Sequence, residues 1–94
     1  MTAEVDRPTV TVVLPRSLTA LFPRTPLRCD ATGNTVTELI DDLEQRVPGL
    51  RDRLCDGTAL RRHLNIFVAG QQATLSTPLR GGEVVHVIPA VSGG

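Results

Sequence analysis

Residues 33–49 read GNTVTELIDDLEQRVPG, and this stretch decides the fold. Its apolar residues recur at the spacing that places them along one side of an α-helix: Val36, Leu39, Ile40, Leu43 and Val47. Thr35 and Glu38 have the spacing of a capping box, and Pro48-Gly49 is a stop signal. The stretch therefore predicts one amphipathic helix over residues 35–46, with a single apolar side to bury.

The sequence on both sides of this helix is typical of β-strands. Stretches rich in β-branched or alternating apolar residues predict strands at 9–14, 27–31, 64–68, 71–75 and 83–88. A strand pair, a crossover helix and further strands predict an α+β fold with a mixed sheet of four to five strands and one main helix on one face. This is the β-grasp, or ubiquitin-like, arrangement.

The connections between these elements carry weaker signals. Residues 15–26 contain three prolines and are predicted to form a loop, with Leu18, Leu21 and Phe22 packed beneath it. Residues 49–55 predict one or two further helical turns, with Leu50 and Leu54 pointing inward. We expect one domain over residues 1–94, with a flexible C-terminal tail at 90–94.

Composition excludes several classes of function. All ten basic residues are Arg, the chain has no Lys, and ten acidic residues bring the formal net charge to zero. A neutral chain without a basic cluster predicts neither nucleic-acid binding nor attachment to an acidic membrane. The first seven residues, MTAEVDR, are polar and do not resemble a secretory signal, so we expect a cytoplasmic protein.

Few side chains could carry chemistry. The chain has two histidines, His63 and His86, and two cysteines, Cys29 and Cys55, at spacings that match neither a catalytic triad nor a zinc site. We interpret both cysteines as small core residues and the helix carboxylates as a solvated surface. We therefore expect a protein that is not an enzyme and holds no metal.

Two pairs of glycines remain. Gly81-Gly82 directly precedes the last strand, and we interpret this pair as a turn. Gly93-Gly94 ends the sequence after a short tail without charged side chains. Such a slender tail could enter a narrow channel in another protein, and two glycines leave the terminal carboxylate free of neighbouring β-carbons. We expect the Gly94 carboxylate, with Gly93, to be the reacting group.

Three stretches resemble the MoaD/ThiS family of sulfur-carrier proteins. Residues 64–70, LNIFVAG, resemble its N-x-x-x-V-x-G strand and turn. Residues 77–84, TPLRGGEV, resemble its T-P-L-x-D-G-D-E-V connection, and residues 88–94, IPAVSGG, resemble its P-P-V-x-G-G ending. Gly82 and Ala90 depart from these patterns. Residues 62–68, RHLNIFV, and residues 89–91, PAV, resemble instead the carriers of the cysteine-synthesis type.

The resemblance implies a mechanism. A partner related to ubiquitin-activating enzymes, of the MoeB/ThiF type, would adenylate the Gly94 carboxylate with ATP, and sulfur would then displace the adenylate. The resulting thiocarboxylate would donate sulfur in a second partner, a sulfur-accepting synthase. ATP would bind the activating enzyme, so this chain would hold no cofactor. The product could be cysteine, molybdopterin, thiazole or another sulfur-containing metabolite.

Strand alternation predicts where these partners bind. If Val85 and Val87 face the helix, Val84, His86 and Ile88 face outward and lead into the tail. We expect Val13 and Val68 on the neighbouring strands to extend this surface unless a loop residue such as Phe22 covers it. The predicted partner-binding residues are Val13, Val68, His86, Ile88, Val91 and Ser92.

Two other functions are compatible with the sequence. A ubiquitin-like protein modifier would use the same Gly94 carboxyl to form isopeptide bonds with lysines of other proteins. A β-grasp binding module or synthase subunit would keep its activity when the tail is removed.

Overall fold

The computed structural model describes residues 7–89. Its strands are β1 (Thr9–Val13), β2 (Arg28–Thr32), β3 (Cys55–Asp56), β4 (Ala59–Leu60), β5 (Leu64–Val68), β6 (Gln71–Ala73) and β7 (Val84–Pro89). Its helices are α1 (Arg16–Thr19), α2 (Val36–Arg46) and α3 (Leu50–Leu54). No helix within residues 7–89 combines the length and the apolar character needed to cross a membrane.

Five strands form one mixed sheet in the order β2-β1-β7-β5-β6. Strands β1 and β7 run parallel, and every other neighbouring pair is antiparallel. Strand β7 therefore lies at the centre, with hydrogen-bonded strands on both sides. This sheet and α2 form the predicted β-grasp architecture.

Helix α2 begins as its capping box predicts. Thr35 is the N-cap, and its hydroxyl oxygen accepts a hydrogen bond from the Glu38 N–H at 3.2 Å. The Glu38 carboxylate reaches back to the N–H of Asn34 at 2.9 Å. The helix then buries Val36, Leu39, Ile40 and Leu43 of the predicted stripe, whereas Val47 follows the helix as its C-cap and is half-buried.

The core lies between α2 and one face of the sheet. Alternate strand residues point into it: Val10 and Val12 of β1, Leu64, Ile66 and Val68 of β5, and Val85 and Val87 of β7. Leu50 and Leu54 of α3 are fully buried beside them, as predicted. The core is aliphatic, because Phe22 only packs against its edge.

Two local features differ from the prediction. Residues 16–19 form α1 inside the predicted loop; Pro15 precedes it as N-cap, and its carbonyl accepts hydrogen bonds from the N–H groups of Leu18 and Thr19. Leu18 is buried as expected, but Leu21 is 49% exposed, because the turn that follows α1 directs it away from the core. The second difference is the short hairpin β3–β4, in which Cys55 pairs with Leu60 and Asp56 pairs with Ala59.

Candidate functional site

The sheet face opposite α2, called the outer face below, carries a row of side chains across its centre. His86 of β7 pairs with Val13 of β1 on one side and with Phe67 of β5 on the other. All three residues are half-buried. The same face carries Val84 and, near its end, Ile88, which is 41% exposed. Alternation thus places Val13, His86 and Ile88 on one surface, as predicted.

Val68 does not belong to this surface, and its prediction as an outward-facing residue is wrong. Its side chain is 9% exposed and belongs to the core cluster, together with Leu64 and Ile66 of the same strand. The physical reason is the alternation of β5, in which every second residue turns inward beginning with Leu64.

Phe67 takes the place on the outer face that Val68 was expected to fill. Its strand neighbour Asn65 lies on the same face, where the Asn65 carbonyl oxygen accepts a hydrogen bond from the Gln72 amide at 3.2 Å. Asn65 is the signal that could have settled the phase of β5, because a polar side chain at that position favours the solvent side. Phe67 therefore replaces Val68 among the candidate docking residues.

Phe22, the loop residue named above as a possible cover, does not lie on this face. Its ring packs against the edge of the core and lies next to Gly49, 3.5 Å from the position that a Cβ would take on that glycine. The row from Val13 to Phe67 consequently presents a continuous, partly exposed surface of apolar side chains around one histidine. Such a surface on a small domain is typical of a docking site.

The outer face ends where the chain leaves the sheet. Leu64 pairs with Pro89, and Asn65 pairs with Ile88, so the central strand β7 is paired with β5 through its last described residue. Val91, Ser92, Gly93 and Gly94 lie outside the described residues. Their predicted roles in partner binding and in forming the reacting carboxyl stay predictions.

The connection before β7 is built as a turn, which confirms the interpretation of the internal glycine pair. Gly81 and Gly82 have φ of 111° and 82°, values that L side chains rarely adopt. The Glu83 carboxylate accepts hydrogen bonds from the N–H groups of Arg80 and Gly81 at 2.8 and 2.6 Å. Desolvation of this carboxylate favours its protonated form, but the backbone hydrogen bonds outweigh that effect and lower the pKa of Glu83.

Neither cysteine is prepared for nucleophilic chemistry. Desolvation by burial is the main influence on Cys29 and on Cys55, and it raises the pKa of both thiols. Within residues 7–89 no group of three or more His, Cys, Asp or Glu side chains is arranged to hold a metal ion.

Comparisons with known proteins agree with this architecture. The sequence is 35% identical to the sulfur carrier protein CysO of Mycobacterium tuberculosis (strain ATCC 25618 / H37Rv), over 90% of this chain and 98% of the relative. A chain in the crystal structure of the Amycolatopsis orientalis BexX/CysO complex superposes with a TM-score of 0.81 at 32% identity, covering 90% of this chain and 99% of that chain. The crystal structure of SAMP1 from Haloferax volcanii gives a TM-score of 0.71 at 28% identity, with coverage of 92% and 99%.

The family itself is established by a match that covers most of the sequence. The model of the ThiS family matches residues 18–94, which include α2, the whole central strand β7 and the terminal glycine pair. This match confirms both the predicted β-grasp fold and the resemblance seen in the three sequence stretches. The chain belongs to the ThiS family.

Proposed function

We propose that the chain is a sulfur carrier whose reacting group is the carboxylate of Gly94. The observation that carries this proposal is the family match, which runs through Gly94, together with the 35% identity to the sulfur carrier protein CysO. The CysO relatives also favour an acceptor in cysteine synthesis over a molybdopterin or thiazole acceptor. The chain supplies the group that is transformed, while the catalytic groups belong to its partner enzymes.

The chemistry proceeds in two displacements. A carboxylate oxygen of Gly94 attacks the α-phosphorus of ATP, and pyrophosphate leaves, which gives an acyl adenylate. A sulfide nucleophile then attacks the acyl carbon, the bond to the adenylate oxygen breaks, and AMP leaves with its electron pair. The product is a thiocarboxylate, whose sulfur is the nucleophile in the acceptor enzyme. Both ATP and the acceptor bind partner proteins.

The outer face suits the docking step of this cycle. An adenylating enzyme of the MoeB/ThiF type must hold the domain while the tail reaches its active site. The row Val13–His86–Phe67, with Ile88 between it and the tail, offers apolar side chains at the point where the chain leaves the sheet. In typical complexes a few well-packed side chains near the centre of the interface carry most of the binding energy.

The test is conversion of the purified chain by such an adenylating enzyme with ATP and sulfide. Intact-mass spectrometry should show an increase equal to the replacement of one oxygen by sulfur. A variant lacking Gly94 should stay unconverted and keep its melting temperature. CysO of Mycobacterium tuberculosis with its own activating enzyme is the positive control. Recovery of only the free carboxylate, under conditions that convert the control, would refute the proposal.

The 28% identity to SAMP1, a small archaeal modifier protein, favours a second function as a protein modifier. Such modifiers share the carboxyl activation step with sulfur carriers. In that function the activated Gly94 carboxyl is captured by lysines of other proteins instead of by sulfide. The two functions differ in a simple observable. Expression of a tagged chain with its activating enzyme should give no ladder of covalent conjugates on a denaturing blot if the chain only carries sulfur.

A further inference from the structure

A cleft of about 550 Å³ opens between the loop after α1, helix α3 and the residues that precede β5. It is distinct from the outer face, because none of its residues belongs to the large sheet. The lining consists of Leu21, Phe22, Gly49, Asp52, Arg53, Arg61 and His63. The lining thus includes two arginines, one histidine and a single acidic residue.

Hydrogen bonds fix two of the segments that line this cleft. The Glu44 carboxylate accepts hydrogen bonds from the N–H groups of Gly49 and Arg51, at 3.0 and 2.8 Å, which fixes the turn between α2 and α3. The Arg61 Nε donates to the carbonyl oxygen of Asp52 at 2.7 Å. The Arg61 guanidinium is therefore positioned before any ligand arrives, which lowers the entropic cost of binding.

The two cleft arginines have no carboxylate partner in the described part of the chain. The ion pairs within residues 7–89 are Arg46–Asp42 and Arg51–Asp41, and neither involves Arg53 or Arg61. Leu21 in the same lining is 49% exposed, and it is one of three exposed large apolar side chains within residues 7–89. The cleft thus combines an excess of positive charge, two arginines against one aspartate, with an exposed apolar wall, and both features favour an acidic, partly apolar ligand.

The cleft also lies beside the exit of the tail. His63 directly precedes Leu64, whose N–H donates to the Arg61 carbonyl at 3.1 Å. Leu64 pairs in turn with Pro89, the last described residue. The lining residue His63 is therefore next in sequence to the residue that pairs with Pro89.

We propose that this cleft binds an acidic segment of a partner protein. Carboxylates of the segment pair with Arg53 and Arg61, and an apolar side chain of the segment packs against Leu21 and Phe22. The contact is a second docking point, separate from the outer face, and it orients the domain around the tail. The nature of the partner, an enzyme that handles the Gly94 carboxyl, rests on the proposed function; the chemistry of the cleft does not.

The first experiment uses three probes on the isotope-labelled full chain, followed by NMR. They are a short peptide of Asp and Glu with a central Leu, the same peptide with Asn and Gln instead, and inorganic phosphate. We expect the acidic peptide to shift the amides of Gly49, Arg53 and His63, and added salt to weaken this effect. Equal shifts with the neutral peptide, shifts confined to residues around His86, or the same shifts with phosphate alone would each overturn the proposal.

The second experiment uses Arg53→Glu and Leu21→Ser in the partner's adenylation reaction. Both side chains are exposed, so the variants should fold, and Arg24→Glu is the matched control because Arg24 is exposed but lies outside the cleft. We expect the cleft variants to raise KM for the carrier about tenfold with kcat unchanged, as loss of uniform binding does. An equal rise in Arg24→Glu, or no rise in the cleft variants, would contradict the proposed contact.

The two proposals can fail separately. If no thiocarboxylate forms at Gly94 while the acidic peptide still maps to the cleft, the sulfur-carrier function falls and the acidic docking site stands. If thiocarboxylate forms normally in both cleft variants and the peptide does not map to the cleft, only the docking site falls.

Discussion

Ile88 and Leu27 are almost equally exposed, at 41% and 40%, but they occupy different surfaces. Ile88 follows the alternation of the outer face next to the tail, whereas Leu27 precedes β2 and is outside that row. This pair of residues allows docking to be separated from the general effect of adding a charge to an exposed apolar site.

We predict that Ile88→Asp raises KM for the carrier in its adenylation reaction at least about tenfold, because a carboxylate would have to be desolvated at an apolar interface. Leu27→Asp should leave KM unchanged. The free energies of unfolding of both variants should lie within about 0.5 kcal/mol of the wild-type value, as is usual for surface substitutions. Equal values of KM for the two variants would argue against the outer face as the docking surface.

Phe67 and Val68 are neighbours in sequence with opposite environments, and β5 is where sequence reasoning placed the wrong residue on the surface. The stretch LNIFV contains apolar residues in both phases of the alternation, so apolarity alone does not identify the buried phase. Packing against α2 decides it in favour of Leu64, Ile66 and Val68. In β7 the polar His86 stands between Val85 and Val87. This alternation indicates correctly that Val85 and Val87 are the buried residues.

We predict that Val68→Asp lowers the free energy of unfolding by about 3–5 kcal/mol, the cost of a charge buried without a partner. Phe67→Asp places the same carboxylate on the outer face and should keep a cooperative transition close to that of the wild type. Urea denaturation followed by circular dichroism measures both variants. A larger loss in Phe67→Asp would show that the phase of β5 is reversed.

At the scale of single elements, α2 is the part that sequence predicts best. Its stripe, its N-cap and its stop signal all agree, so its bounds could be written down in advance. Helix α1 and the hairpin β3–β4 could not be predicted in the same way. Each contains only a few residues, and contacts made within the folded chain stabilise such short elements more than their own propensity does.

The N-cap of α2 gives a direct test. We predict that Thr35→Ala lowers the free energy of unfolding by about 1 kcal/mol, because the Glu38 N–H loses its acceptor at the helix start. Thr58→Ala is the control, since Thr58 is an exposed residue of the β3–β4 turn. Equal stability of the two variants in urea denaturation would contradict a role for the cap.

The turn between α2 and α3 depends on the charge of Glu44. Hydrogen bonds from the N–H groups of Gly49 and Arg51 lower the pKa of this carboxyl below its ordinary value of 4.5. A depressed pKa in the folded state stabilises the protein above the unfolded pKa. That stabilisation is lost as the pH falls through the folded pKa.

We therefore predict that Glu44→Gln is less stable than the wild type at neutral pH and that the difference shrinks on acidification. Comparing the two proteins at each pH cancels the titration of the other carboxyls. Urea denaturation from about pH 7 to about pH 3 spans the relevant window. A stability difference that stays constant with pH would mean that the charge of Glu44 does not contribute.

At the scale of the whole molecule, the folded core and the proposed reacting end occupy separate parts of the chain. Every residue of the described core cluster lies between Val10 and Val87. The fold class could be predicted because it depends on patterns repeated over many residues. The cleft at Arg53 and Arg61 could not, because its residues come from three separate segments that only the folded chain brings together.

We predict that truncation after Pro89 leaves the midpoint of thermal unfolding unchanged within about 2 °C, which corresponds to a few tenths of a kcal/mol for a domain of this size. The truncated chain should still bind the activating enzyme through the outer face, although it cannot be converted. Calorimetry measures the first property, and competition against the intact chain measures the second. A truncated chain that unfolds at a much lower temperature would contradict this separation.

The central position of β7 has a mechanical consequence. A partner that draws the chain end into its active site pulls along the axis of this strand, which is hydrogen-bonded to β1 on one side and to β5 on the other. Such a load shears both ladders at once instead of opening them one bond at a time, as would happen if an edge strand were peeled away. In the proposed carrier function, this arrangement would keep the domain folded while successive partner enzymes hold its C-terminal end.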